Sequence, residues 1–148
     1  MKNSVAITLT TIHLGSARRV VTLGINGKDQ ADDFLLNLHK GNKKAAESLF
    51  ARIRFVAEHL RFENRVLFRN LGQGLFEFKG DGVRLYAFYE DELLPDSPMI
   101  IATCGGGKGS KKEQQGDIKL ARKLAAEYKR LRKSKETKCK LLILENED

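Results

Sequence analysis

Apolar and polar residues alternate most clearly between Leu75 and Thr103, and the alternation predicts three short β-strands. The predicted strands cover Leu75–Lys79, Val83–Tyr89 and Met99–Thr103. Gly80-Asp81-Gly82 separates the first two. An Asp-Gly pair between runs rich in aromatic and β-branched residues is a strong hairpin signal, because the turn requires positive φ at its centre. We therefore predict a β-hairpin over these two strands.

A two-residue turn also fixes which side chains share a face, because side chains along a strand alternate with a period of two. One face is predicted to be core, with Phe76, Phe78, Val83, Leu85 and Ala87. The other face carries Leu75, Tyr86 and Phe88 together with Glu77, Lys79 and Arg84, the last three within cross-strand or diagonal reach of one another. These three residues fit either a ladder of surface ion pairs or half of a basic pocket, and the pattern leaves both interpretations open.

The first part of the chain predicts two strands followed by two helices. Ser4–His13 and Arg18–Ile25 are β-rich and predict a hairpin. Helical spacing then begins, and a glycine stop at Gly41 ends the first helix, whose apolar positions are Ala31, Phe34, Leu35 and Leu38. Asn42 can cap the second helix, whose apolar stripe is Ala46, Leu49, Phe50, Ile53, Val56, Ala57 and Leu60. The very short loop between them predicts a helical hairpin.

The remaining elements complete a predicted α+β fold. Gly105–Gln115 predicts a mobile glycine-rich loop, Gly116–Arg132 a helix and Leu141–Leu144 a short final strand. The fold class that follows is a mostly antiparallel sheet with an N-terminal helical hairpin and a C-terminal helix packed on it. The length predicts a single domain over 1–148, with 1–27 as an N-terminal β-hairpin extension and 133–148 as a basic and acidic tail.

The net charge of +8 is concentrated in one segment. Residues 105–140 contain 13 Lys or Arg and four acidic residues, a balance of +9, while the rest of the chain has 14 basic and 15 acidic residues, a balance of −1. A concentrated basic segment beside a neutral body predicts a polyanionic partner, with nucleic acid favoured over a membrane surface. A solvated charged helix is the alternative.

Several classes of function are disfavoured by what the sequence lacks. No apolar run approaches the length of a spanning helix, and the N-terminus has no signal-peptide core, so we expect a cytoplasmic protein with no membrane partner. Cys104, Cys139 and the three scattered histidines have no metal-ligand or triad spacing. We therefore expect free thiols and neither a metal nor a cofactor.

The segment GGGKGSKK suggests a phosphate-binding loop, but Gly109 follows Lys108 where a Walker loop needs Ser or Thr. Two interpretations remain, a phosphate-contacting loop that carries Lys108, Lys111 and Lys112, and a solvated lysine-rich turn.

Tyr128 lies on the apolar stripe of the last predicted helix, which favours packing of its ring in the core. Placement of its hydroxyl at a pocket rim is the alternative.

The runs GLFEFK, VRLYAFY and MIIATC, followed by a lysine-rich turn and the helix GDIKLARKLAAEYKR, resemble the RelE/HigB-like toxins of type II toxin–antitoxin systems. The resemblance extends from around Ala31 to Arg132. It implies a metal-independent endoribonuclease that cleaves messenger RNA, in association with the ribosome, and that a cognate antitoxin protein inhibits. At matching positions it implies the catalytic residues Lys79, Arg84, Lys111 and Lys112. Tyr128 is added to the predicted catalytic set as the C-terminal tyrosine. The basic loop and helix supply the predicted RNA-binding residues, which are Lys108, Lys119, Arg122 and Lys123.

The chemistry of RNA cleavage is compatible with such a set of cations. Attack of an RNA 2′-hydroxyl on the adjacent phosphate needs a proton acceptor, cations that stabilise the phosphorane, and a donor to the leaving 5′-oxygen. Lysine and arginine side chains supply the last two without a metal. A ParE-like branch of the same superfamily inhibits DNA gyrase without cutting RNA. That activity, and nucleic-acid binding without catalysis, are the alternatives.

Overall fold

The computed structural model describes residues 4–59, 67–107, 109–134 and 138–145, and over these ranges the chain forms eight strands and three helices. In chain order the elements are β1 (Ser4–Leu14), β2 (Arg19–Ile25), β3 (Lys28–Asp29), α1 (Gln30–Gly41), α2 (Lys43–Ala57), β4 (Phe68–Gly72), β5 (Leu75–Gly80), β6 (Val83–Glu90), β7 (Met99–Gly107), α3 (Lys111–Lys133) and β8 (Lys138–Leu144).

All eight strands belong to one mixed sheet with the order β4-β5-β6-β7-β2-β1-β8, in which β3 adds to the end of β2. The pairs β2/β7 and β1/β8 are parallel, whereas the other pairs are antiparallel. The predicted fold class, a mostly antiparallel sheet with an N-terminal helical hairpin, is therefore wrong. The helical pair follows three strands and is not N-terminal.

The physical reason for this error is that both parallel contacts join distant parts of the chain. β2 pairs with β7 about 80 residues later, from Arg19 opposite Met99 to Thr22 opposite Ala102. Local periodicity reveals each strand but not the neighbour that it selects across such a distance. The core position of β2 is nevertheless visible in its run VVTLG, which is buried throughout.

Helices cover both faces of the sheet. α1 and α2 pack on one face, over a core that includes Leu49, Ile53, Phe78 and Leu85. α3 packs on the opposite face, over a second core formed largely by Leu9, Val21, Phe88, Ile101 and Tyr128. The sheet is thus the middle of three layers, and each layer of helices buries one apolar stripe.

The hairpin prediction is confirmed in position and facing. Gly80 pairs with Val83 across the two-residue turn Asp81-Gly82, and Gly82 has a φ of +71°. The predicted core face is also confirmed, since its members lie in the core beneath α1 and α2: Phe76, Phe78, Val83, Leu85 and Ala87. The opposite face is covered by α3, and Glu77 and Arg84 are only 4% and 8% exposed, so the interpretation of these residues as a ladder of surface ion pairs is wrong.

The linker between α1 and α2 behaves as its sequence predicts. Asn42 ends α1 and caps α2, since its side-chain Oδ1 accepts a 3.1 Å hydrogen bond from the Ala45 N–H. With a single residue between them, the two helices form a hairpin that packs as one layer. Leu60, the last position of the predicted stripe on the second helix, lies outside the described residues.

The glycine-rich segment is more regular than predicted. The predicted loop over Gly105–Gln115 is too long, because a strand and a helix extend into it from either side. β7 continues through Gly105 to Gly107 and pairs with β6. α3 begins at Lys111, after Ser110 caps it by accepting a 3.2 Å hydrogen bond from the Glu113 N–H.

Across the described ranges, the helices are too short or too polar to cross a lipid bilayer.

Candidate nucleic-acid interface

α3 is the most strongly charged element of the described chain. Its 23 residues contain nine Lys or Arg and three acidic residues, a balance of +6. Helical spacing brings four of the cations to one exposed side: Lys112, Lys119, Lys123 and Arg130. We call these four residues the α3 cation face. It extends for about 27 Å along the helix at a rise of 1.5 Å per residue.

The carboxylates of α3 leave most of the positive charge of the α3 cation face uncompensated. Glu113 belongs to the first turn of the helix, where negative charge stabilises the N-terminus. Glu127 lies beside Arg130 and accepts a 3.0 Å hydrogen bond from its Nη2. This exposed pair weakens the field of Arg130 by a modest amount, and the three lysines remain the main source of positive potential.

One flank of the α3 cation face borders a groove. Arg122 donates 3.1 Å hydrogen bonds to the carbonyl oxygens of Leu71 and Gly72, so it fixes α3 to the end of β4. Beyond it, Lys129 Nζ lies 5.2 Å from the centroid of the Phe88 ring. The groove between them has a volume of about 300 Å³. Arg122 is therefore partly engaged in structure, whereas Lys119 and Lys123 are exposed.

Four of the five predicted catalytic residues lie toward one end of the molecule. Lys79 pairs directly with Arg84 next to the turn of the β5–β6 hairpin, and Arg84 pairs with Gly106 near the end of β7. α3 begins four residues after β7 ends, and its first two residues, Lys111 and Lys112, are exposed. Lys108 lies outside the described residues.

Arg84 is held inside the protein rather than presented to solvent. Its Nη1 donates a 2.9 Å hydrogen bond to the Val83 carbonyl and a 3.4 Å one to that of Gly80, and its Nε lies 3.8 Å from Glu77 Oε2. Both side chains are less than a tenth exposed. The sequence left Glu77 and Arg84 as either surface ion-pair partners or part of a basic pocket, and their burial together depends on the helix that covers them.

Three further polar groups lie in this region, two on the strands beneath the first half of α3 and one on α3 itself. Tyr86 sits between Glu77 and Cys104 on adjacent strands, and its hydroxyl has no hydrogen-bond partner among the described residues. Burial, together with the nearby charge of Glu77, raises the pKa of Tyr86 to about 12. Burial likewise raises the pKa of the Cys104 thiol to about 11 and that of the Asp117 carboxyl above its ordinary value. The region thus disfavours additional negative charge.

Tyr128 is separated from the other predicted catalytic residues. It lies sixteen residues after Lys112 on the same helix, which is about 24 Å. Its ring is buried against Phe88, and its hydroxyl donates a 2.6 Å hydrogen bond to Glu90 Oε1. It lines a cleft of about 620 Å³ that has acidic residues on β6 and the following loop, and basic residues on α3. The structure does not bring Tyr128 together with Lys111 and Lys112.

Arg130 is a member of the α3 cation face that was not among the site residues predicted from the sequence. The spacing along the sequence indicates its position. Arg130 comes eleven residues after Lys119 and seven residues after Lys123, and both spacings are close to a whole number of helical turns.

Among the described residues, no three His, Cys, Asp or Glu side chains gather closely enough to hold a metal ion. Both cysteines are free thiols.

Comparison of the chain with protein-family models gives no match, and comparison with curated proteins gives none either.

Proposed function

We propose that this chain binds RNA along the α3 cation face. The observation that carries the proposal is the alignment of Lys112, Lys119, Lys123 and Arg130 on one exposed side of a helix whose net charge is +6. Phosphate contacts by such cations release condensed counterions, and this release supplies most of the affinity in binding that does not depend on sequence. RNA is the polyanion that the resemblance to RelE/HigB-like toxins implies.

The activity that we propose is metal-independent cleavage of messenger RNA by a cytoplasmic toxin whose partners are the ribosome and a cognate antitoxin. The convergence of Lys79, Arg84, Lys111 and Lys112 toward one end of the molecule supports this activity. Of these, Lys111 and Lys112 are exposed and Lys79 is half-buried, so these three lysines are the cations that a phosphate can reach. Arg84 would act by positioning the strand that carries Lys79.

The binding step is tested with a single-stranded RNA oligonucleotide, by fluorescence anisotropy at several salt concentrations. The double variant Lys119→Gln/Lys123→Gln should weaken binding and lower the slope of log K against log salt by about 1.4, since each lost phosphate contact on a single strand accounts for about 0.7. The matched control is Lys43→Gln/Lys44→Gln, which removes the same charge from exposed positions of α2. Equal effects of the two variants would contradict binding at α3.

The cleavage step is tested by primer extension on messenger RNA from cells that briefly express the chain. Discrete new 5′ ends that disappear in Lys111→Ala/Lys112→Ala are the expected result. These exposed positions are preferable to Arg84, whose loss would leave Glu77 buried without its partner and destabilise the fold. RNA binding without new 5′ ends would favour a non-catalytic nucleic-acid-binding protein. Growth arrest with neither binding nor cleavage would favour an inhibitor of DNA gyrase.

A further inference from the structure

β8 forms one edge of the sheet. It runs parallel to β1 along seven paired positions, from Ser4 opposite Lys138 to Thr10 opposite Leu144, and the register has no shift. Its outer edge has no strand partner in the described ranges. Half of the backbone N–H and C=O groups of such a strand point away from the sheet, where another strand can pair with them.

The side chains of β8 make this edge unusually apolar. Cys139, Leu141 and Ile143 pack against the core beneath α3. The alternate residues Leu142 and Leu144 point to the other face and are 54% and 40% exposed. Natural edge strands are usually protected by charges, proline or a bulge. Here the run Leu141–Leu144 contains none of these, and Lys140 precedes it.

We propose that β8 pairs with β8 of a second copy of this chain, in an antiparallel arrangement whose twofold axis passes beside Leu142. The distribution of charge along the strand favours a second copy in the antiparallel direction. Lys140 precedes the apolar run and Glu145 follows it, and both are exposed. Antiparallel pairing places the basic start of one strand next to the acidic end of the other, with Lys140 and Glu145 on opposite faces of the shared sheet, whereas in-register parallel pairing would place the two Lys140 side chains opposite one another on the same face. Glu145 also contacts Arg19 within its own chain, and its side chain remains 62% exposed.

The proposed register makes Leu142 of one copy face Leu142 of the other, and Lys140 face Leu144. Opposite residues in an antiparallel pair share a face of the sheet, so both exposed leucines become covered by the equivalent side chains of the second copy. The interface is isologous, as a twofold axis requires. The two sheets would continue as one across the dimer. Because a single strand pair is a small interface, we expect dissociation at roughly micromolar concentration.

The first experiment measures mass against concentration by sedimentation equilibrium. The chain should change from monomer to dimer, and Leu142→Glu should weaken the dimer by about tenfold or more, because it places two carboxylates opposite one another. Leu36→Glu is the matched control: Leu36 is 53% exposed on α1, so the same substitution removes a similar apolar surface elsewhere. A strictly monomeric chain, or equal weakening by both variants, would overturn the proposal.

The second experiment tests the register by disulfide formation in a Cys139→Ser background. Opposite Cα atoms in an antiparallel pair are about 4.5 to 5.5 Å apart, which suits a disulfide. Leu142→Cys should therefore cross-link to itself under mild oxidation, while Lys140→Cys and Leu144→Cys alone should not, and a mixture of the last two should. Cross-linking of Leu36→Cys as fast as Leu142→Cys would overturn the proposed interface. If the Leu142→Cys variant does not cross-link at concentrations where the chain is dimeric, the register is wrong.

Discussion

The hydroxyl of Tyr128 donates a 2.6 Å hydrogen bond to Oε1 of Glu90, and this contact fastens the second half of α3 to the end of β6. Burial raises the pKa of Tyr128 well above its ordinary value, and the hydrogen bond and charge of Glu90 raise it further. The phenol therefore stays protonated and acts as a donor. Its burial, its partner and its distance from Lys111 and Lys112 all indicate a structural role.

We expect Tyr128→Phe to lower the free energy of unfolding by about 1–2 kcal/mol, because a hydrogen bond to a charged acceptor is lost while the ring packing is kept. Urea denaturation followed by circular dichroism measures this loss. Glu90→Gln should cost less, since the neutral amide oxygen still accepts the bond. RNA cleavage should be unchanged in Tyr128→Phe. Loss of cleavage in a variant that retains its stability would place Tyr128 in the catalytic site instead.

Gly105 and Phe34 provide a second relationship that can be tested by substitution. A Cβ atom added at Gly105 would lie 2.3 Å from Cδ2 of the Phe34 ring, which belongs to α1. We expect Gly105→Ala to destabilise the fold by about 1–3 kcal/mol, because the ring must move out of its packed position. Thermal or urea denaturation checks this value.

Gly107→Ala is the control for that substitution, because it lies on the same strand and a Cβ there would meet nothing closer than the Gly82 carbonyl oxygen at 3.9 Å. It should change stability little. If both alanine variants were equally destabilised, the cause would be the strand backbone rather than the contact with Phe34.

The sequence was sufficient to predict those parts of the fold that are held by interactions between residues close together in the chain. The β5–β6 hairpin depends on its own turn residues and on alternation over a few positions, so its position and its core face were predictable. The cap at Asn42 is local in the same sense, since its side chain bonds to a backbone group three residues later. Such features need no knowledge of the rest of the molecule.

The sequence was insufficient to predict the environment of a residue where an element distant in the chain packs against it. Arg84 has the same neighbours along β6 whether or not α3 covers it, and only that cover turns a surface ion pair with Glu77 into a buried one. The glycine run was misjudged for a related reason. Gly105 and Gly106 permit close approach of Phe34 and Asp117 from opposite sides of β7, a demand made by two helices far apart in the chain.

Asp29 at the start of α1 gives a prediction about pH. Its carboxylate accepts hydrogen bonds from the Asp32 N–H at 2.9 Å and from Thr22 Oγ1 at 2.6 Å, and so caps the helix. Burial nevertheless raises its pKa above the ordinary value of 3.8, and the charges of Asp32 and Asp33 act in the same direction, while the two hydrogen bonds oppose the shift.

The sign of the effect follows from proton binding. Between 3.8 and the raised pKa, the folded state binds more protons than the unfolded state, so the contribution of Asp29 to stability is complete below pH 3.8 and decreases as the pH rises through the raised value. Asp29→Asn keeps a capping oxygen and removes the buried charge. We therefore expect Asp29→Asn to be at least as stable as the parent at about pH 7, with a stability advantage that shrinks toward the acidic end of the range.

Urea unfolding of the parent and of Asp29→Asn at a series of pH values measures this difference in stability. Asp29→Ala, which also removes the cap, should instead lose about 1 kcal/mol. A stability difference between parent and Asp29→Asn that stays constant across the series would show that Asp29 has the same pKa in the folded and unfolded states.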